Sequence, residues 1–222
     1  MWTVVSLGFW AWYIAFVSYT PQFLYFFIWT AGVGSVVWLG RERLEKAVRG
    51  IKLGETTRFV LLGYAMVLAE EVVAAFVNNL SEGFTLRLFA VRVLQFWALN
   101  VFAFTGLILA WAWMSRWLMF SRRERFYLSG LFGLYAERTI FVVFSNPLAF
   151  IFFAPLEILT YGLILTPAQL SVPAQGSMKS LRVLRYAASF LLPLLVSVPF
   201  VVVLMVLRAH FPWAFPPTKF VP

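Results

Sequence analysis

The chain predicts an all-α protein, a polytopic bundle of six or seven transmembrane helices forming one integral membrane domain over residues 1–222. Three observations carry this. Hydrophobic residues make up 62% of the chain and charged residues 12%, whereas a soluble domain is nearer half apolar and a quarter charged. The mean hydropathy is +0.86. The apolar residues gather into continuous blocks of about 17 to 22, the length a helix needs to cross ~30 Å of hydrocarbon. Continuous runs exclude barrel strands, which alternate over about ten residues.

The first apolar block runs from about Thr3 to Leu39. As one helix it would be about 55 Å long, too long for a single crossing without extreme tilt. Pro21 in "YTPQ" (19–22) supplies a break, because it cannot donate a hydrogen bond and it restrains Thr20. Two short spans, about 3–19 and 22–39, are therefore predicted, with a kinked or re-entrant pair as the alternative. The opening "MWTVVSLGFWAWYIAF" lacks a basic flank and an A-x-A-like cleavage site, so it is expected to be a retained span. Further spans are predicted near 59–80, 93–114, 126–145, 148–166 and 187–207. Trp10, Trp38, Trp111, Trp113, Trp117 and Trp213 fall near span ends, where aromatic belts form.

The polar connections at about 41–58, 115–125 and 167–185 hold thirteen of the eighteen lysines and arginines. With seven spans all three lie on one side, and the positive-inside rule makes that side cytoplasmic. A cell-membrane location follows, with the amino terminus inside and the carboxyl terminus outside. If the first block crosses once, only the amino terminus changes side. The net charge of +9 thus belongs to juxtamembrane loops. Such loops are attracted to the anionic headgroups of a lipid bilayer, so no nucleic-acid partner is expected.

Five ionisable residues are predicted at membrane depth: Glu70, Glu71, Glu137, Arg138 and Glu157. Each costs ~2.5–3.5 kcal/mol on insertion scales and normally faces the bundle interior or water. Four acids and one base cannot neutralise one another by pairing. Some carboxyls are therefore expected to be protonated, to bind a cation or to meet water, since low dielectric disfavours the charged form.

Helical spacing gives these residues faces to share. Glu71, Ala74, Ala75 and Asn78 form one stripe, continued backward by Gly63 and Tyr64, while Glu70 lies about 100° away. Asn79 follows Asn78. Asn100 with Ala103 and Gly106 marks the next span, and Gly130, Gly133 and Glu137 the one after. Ala154, Glu157, Thr160 and Tyr161 mark the sixth. Small residues allow close approach and amides bond across helices, so these stripes predict helix contacts.

Several chemistries are excluded. There is no cysteine, so disulfides, thiolate metal sites and cysteine nucleophiles are absent, and a single histidine, His210, forbids a multi-histidine metal site. The chain has no aspartate, hence no acidic diads of the prenyl-transferase kind. The Glu-Glu pair is similar to the first motif of CAAX-type intramembrane proteases, but Ala75 stands where an arginine should follow, and the later histidines are missing. No catalytic constellation, metal site or cofactor is expected.

Two segments together resemble the stage II sporulation protein M family of membrane proteins. "FVNNL" (76–80) is similar to an Asn-containing helix end that precedes a glycine-containing span, here "LNVFAFTGLILAW". "NPLAFIFFAPLEILTYGLIL" (146–165) is similar to a late helix with an H-G-x-x-E core. Phe153 and Ala154 replace its His-Gly, while Glu157 and Gly162 remain. The resemblance implies an assembly component of a membrane complex rather than a hydrolase, with Asn79 and Glu157 as carried-over positions.

The function predicted on these grounds is a non-enzymatic scaffold or partner-binding component, joined by a membrane-protein partner or a second copy. Its buried Glu/Asn cluster would fix helix packing. The alternative is a small cation- or proton-coupled transporter, with Glu71, Glu137 and Glu157 as relay or ligand groups and Arg138 as counter-charge.

Overall fold

The computed structural model describes residues 1–18, 21–173 and 182–215. Among these, every regular element is helical. Helix α1 (Trp2–Phe16) is followed by a composite segment. That segment is a 3-10 turn at Pro21–Phe23, α2 (Leu24–Phe26), a π-helical stretch at Phe27–Val33 and α3 (Gly34–Leu39). The amphipathic α4 (Arg41–Gly50) leads to the long pair α5 (Glu55–Ser81) and α6 (Leu86–Trp117). Then come α7 (Arg122–Ala136), α8 (Thr139–Ser145), α9 (Pro147–Leu170) and α10 (Arg182–His210).

Five stretches are long and apolar enough to cross a membrane: Pro21–Leu39, α5, α6, α9 and α10. A sixth arises if α7 and α8, bent by 61° at their junction, form one broken span. This is a multi-pass membrane protein, and each predicted span has a helical counterpart. Two of them differ from expectation. Helix α1 has 15 residues, about 22 Å, which falls short of ~30 Å of hydrocarbon. The span predicted at 126–145 is interrupted at Glu137–Arg138, where Arg138 takes a left-handed φ of 59°. Tyr19 and Thr20 of the predicted break, and 174–181 of the third basic loop, lie outside the described residues.

Local chemistry sets the helix starts. Ser121 and Glu124 form a reciprocal capping box at α7, satisfying two otherwise orphan N–H groups. Asn146 caps α9 through Ala149, with Pro147 at the first helical position. Helix α7 packs closely on α9 because it has no side chain at the crossing. A Cβ on Gly130 would collide with the Ile158 carbonyl, and one on Gly133 with the Tyr161 ring. Gly106 of α6 likewise abuts Ser197 of α10.

The three basic loops meet at one end of the bundle. Arg122 pairs with Glu45 at 2.6 Å, Arg185 with Glu124 at 2.9 Å, and Arg116 reaches Thr56 at 3.0 Å. Arg49, Arg58 and Arg125 converge on the chain leaving α9. Arg49 donates to the Leu170 carbonyl at 3.1 Å, Arg58 to Ser171 at 2.7 Å and Arg125 to Pro173 at 2.9 Å. A helix C-terminus presents unsatisfied carbonyls and partial negative charge, which cations satisfy together.

Next to this end lies a hydrophobic core in which Trp29, Phe59, Val67, Ile108, Trp111 and Met114 are fully buried. The belt expectation therefore fails for Trp111, and also for Trp10, which is clasped by Phe23 and Phe153. Trp38, Trp113, Trp117 and Trp213 are exposed, as a belt requires.

Candidate functional site

A cavity of about 540 Å³ opens between α5, α6, α9, the end of α7 and the start of the composite segment. Helices α5, α6 and α9 each turn one stripe toward it. Helix α5 supplies Glu70, Glu71, Ala74 and Asn78; α9 supplies Glu157, Thr160 and Tyr161 at i, i+3 and i+4. Helix α6 adds Asn100, Ala103 and Phe104, and α7 adds Ala136 and Glu137. Gln22 and Tyr25 close the remaining side.

Position along the helices sets the depth of the cavity. Glu70 lies about 22 Å along α5 from the basic end, and Glu157 about 15 Å along α9 from the opposite end, at 1.5 Å per residue. Both lie about 15 Å or more from either end of their helix, within stretches long and apolar enough to cross a membrane. Leu107 and Ile164 form the floor. Beyond them the tight core around Ile108 and Trp111 separates the cavity from the basic end.

Two carboxyls are held by phenols. Tyr25 donates to Glu70, and Tyr161 donates to Glu137 at 2.5 Å. Among the described residues no side chain hydrogen-bonds to Glu157, which is half-buried and faces the cavity. Two of the lining residues also carry a buried oxygen with no partner among the described residues: Asn78 Oδ1 and Thr160 Oγ1. Their residues are only 7% and 3% exposed.

The charge balance is lopsided. Four of the chain's nine acidic residues line this one cavity, while Arg92 is the only cationic side chain lining it among the described residues. Arg92 is already engaged by both Glu82 oxygens, at 3.0 and 3.1 Å. No group of three or more acidic or histidine side chains among the described residues could hold a metal ion.

Of the residues singled out from the sequence, Glu70, Glu71, Asn78, Asn100, Glu137, Glu157 and Tyr161 all line the cavity. Asn79 does not. It is fully buried and its Nδ2 donates to the Thr85 carbonyl at 3.0 Å, fastening the α5–α6 turn. Arg138 does not line it either. Its residue is exposed at the α7–α8 break. Gln22, Tyr25 and Arg92 were not foreseen.

Non-standard backbone surrounds the site. The π-helical stretch begins two residues after Tyr25, and Glu137 is the residue at which α7 stops. Irregular backbone at membrane depth is tolerated where it is buried in protein or lines a cavity, and π-helical turns recur at functional sites.

Fold and site together define a multi-pass helical membrane protein with an acidic cavity between its helices. No protein-family model, curated protein or solved structure matches the chain.

Proposed function

We propose that this protein is a small cation-coupled transporter whose cavity binds its cation at mid-membrane. One observation carries the proposal: four carboxyl-bearing side chains surround a space of about 540 Å³ instead of filling it. Carboxyls serving only as packing glue would be expected to close on one another's partners. Here Glu157 is left facing the space, and the lining residues Asn78 and Thr160 keep buried oxygens without a partner among the described residues. A broken helix whose end carries a ligand residue is the device by which many transporters build such sites.

In this scheme the cation enters from the end poor in Lys and Arg and displaces protons from the glutamates. The basic end faces the cytoplasm, and the carboxyl terminus lies outside. Release on the basic side requires the core around Ile108 and Trp111 to part. The π-helical stretch, the α7–α8 break, and Pro155 and Pro167 within α9 provide places to bend.

The test is proton movement in proteoliposomes, followed with a pH-sensitive dye under gradients of sodium, potassium or butylammonium. Wild-type protein should show flux under at least one cation, and Glu71→Gln, still folded, should lose it.

A scaffold remains the second function, and the phenol–carboxyl bonds from Tyr25 and Tyr161 favour it, because they tie separate helices together. It is also the role that the resemblance to the stage II sporulation protein M family implies. Absence of flux under all three cations, with Glu71→Gln melting earlier, would select it over transport.

A further inference from the structure

We infer that the cavity takes an organic ammonium ion, a primary amine with an apolar body, rather than a bare metal cation. This rests on the cavity being a cation site, as proposed above, and it specifies the chemistry of that cation.

Size comes first. A cavity of about 540 Å³ falls within the ~300–1,000 Å³ of small-molecule sites. A hard cation instead needs six or more oxygens drawn in to about 2.0–2.6 Å. The carboxyls here come from three separate helices, and among the described residues no three of them gather closely enough for that. An ammonium group needs only one or two of these oxygens, and its apolar body can occupy the rest of the space.

The lining between the carboxyls is aromatic. Phe26, Phe96, Phe104 and Phe132 share the wall with Tyr25 and Tyr161. Ring faces attract cations electrostatically and at the same time cover apolar surface. A hydrated metal ion gains little from four phenylalanines, whereas an alkyl or aryl ammonium matches both features.

The unpartnered oxygens specify the donor. Asn78 Oδ1 is an acceptor, and Thr160 Oγ1 both accepts and donates. Both belong to residues that line a cavity holding negative charge, yet the oxygens themselves are sealed just behind its surface without a partner among the described residues, within a side-chain rotation of it. Burying such atoms unsatisfied is unfavourable, and an N–H-bearing cation would satisfy them. A primary ammonium has three N–H donors and a quaternary ammonium has none. The site should therefore prefer the former.

Equilibrium binding to the purified full-length protein in detergent tests this, using phenethylammonium, butylammonium, tetraethylammonium, sodium and magnesium as separate probes. The primary ammonium ions should bind saturably, about tenfold tighter than tetraethylammonium, the difference expected of one or two hydrogen bonds to a charged donor. Thr160→Val, which preserves side-chain shape, and Asn78→Leu should each narrow that preference. Glu157→Gln should weaken every organic cation.

Failure of all ammonium probes to bind overturns the inference, as does binding confined to the metal ions. Equal binding of primary and quaternary probes that Thr160→Val leaves unchanged overturns it too. The outcomes separate from those of transport. Flux driven by sodium without amine binding leaves the transporter standing and removes this ligand class. Amine binding without any flux supports the ligand class and removes the transporter.

Discussion

The phenol of Tyr161 donates a 2.5 Å hydrogen bond to Glu137, joining α9 to α7 at the residue where α7 stops. The bond gives the broken helix a fixed end and turns a carboxyl toward the cavity. The ring itself stacks on Phe104 at 5.6 Å and fills the space over Gly133. One side chain therefore packs three helices and orients an acid.

Removing only the hydroxyl separates those roles. Tyr161→Phe should keep the ring contacts and lose the bond, costing about 1–2 kcal/mol. For a chain of this size that corresponds to a fall of roughly 2–8 °C in the thermal midpoint. Tyr161→Leu, which also loses the stacking, should fall further. Thermal unfolding in detergent of the two variants beside wild type decides it. Equal midpoints for Tyr161→Phe and wild type would mean that the hydroxyl contributes no stability.

Gly130 should tolerate no side chain at all. Its missing Cβ lies against the carbonyl of Ile158, which is backbone and cannot rotate away. Gly130→Ala should force α7 and α9 apart at a cost of about 1–3 kcal/mol, the range for overpacking. Gly8 in α1 is the matched control, since nothing lies within 4 Å of its missing Cβ. Gly8→Ala should be neutral or slightly stabilising, because alanine is the better helix former by about 1 kcal/mol. The contrast between the two midpoints, more than either alone, carries the result.

Arg58 should resist replacement by lysine. Its guanidinium donates to the carbonyls of Arg49, Ile51 and Ser171 at 3.3, 3.2 and 2.7 Å, and it is 9% exposed. Lysine keeps the charge but not the planar fork that spans several acceptors. Arg58→Met should lose about 2–3 kcal/mol by leaving carbonyls unsatisfied, and Arg58→Lys about half of that. Limited proteolysis of the 41–58 connection, alongside the thermal midpoint, would locate the damage. Unaltered cleavage there in both variants would show that these bonds do not hold the loop.

Much of this arrangement is legible in the amino-acid sequence. Apolar block length marked the helices, and clustering of Lys and Arg marked the loops that meet at one end. The stripe spacing worked wherever a helix runs unbroken, so Glu71, Asn78, Glu157 and Tyr161 come together as their registers require. It says nothing of Arg138, which follows the end of α7, and no Pro or Gly announces the turn at Glu137–Arg138. Adjacent residues also hide divergence. Asn78 faces the cavity while Asn79, about 100° around the helix, fastens a turn instead. Arg92 falls just outside the span predicted near 93–114. Yet α6 has 32 residues, about 48 Å, and its first turns carry that arginine to the mouth of the cavity. Tyr25 gave no signal, since one more aromatic in an aromatic block looks like packing.

Arg92 yields the most direct test of the electrostatics. It is the one cationic side chain against four glutamates in the lining among the described residues, and its partner Glu82 sits across the α5–α6 turn. Removing its charge should deepen the negative potential of the cavity, so Arg92→Gln should bind a cationic probe several-fold more tightly than wild type. Coulomb interaction falls with distance and with salt. The gain should therefore be largest at low ionic strength and shrink as salt rises. Glu82→Gln releases Arg92 from its partner without removing the positive charge, and it should weaken probe binding or leave it unchanged. Butylammonium binding titrated at two salt concentrations for the three proteins makes the comparison. If Arg92→Gln binds more weakly than wild type at both, the arginine shapes the cavity rather than opposing its charge.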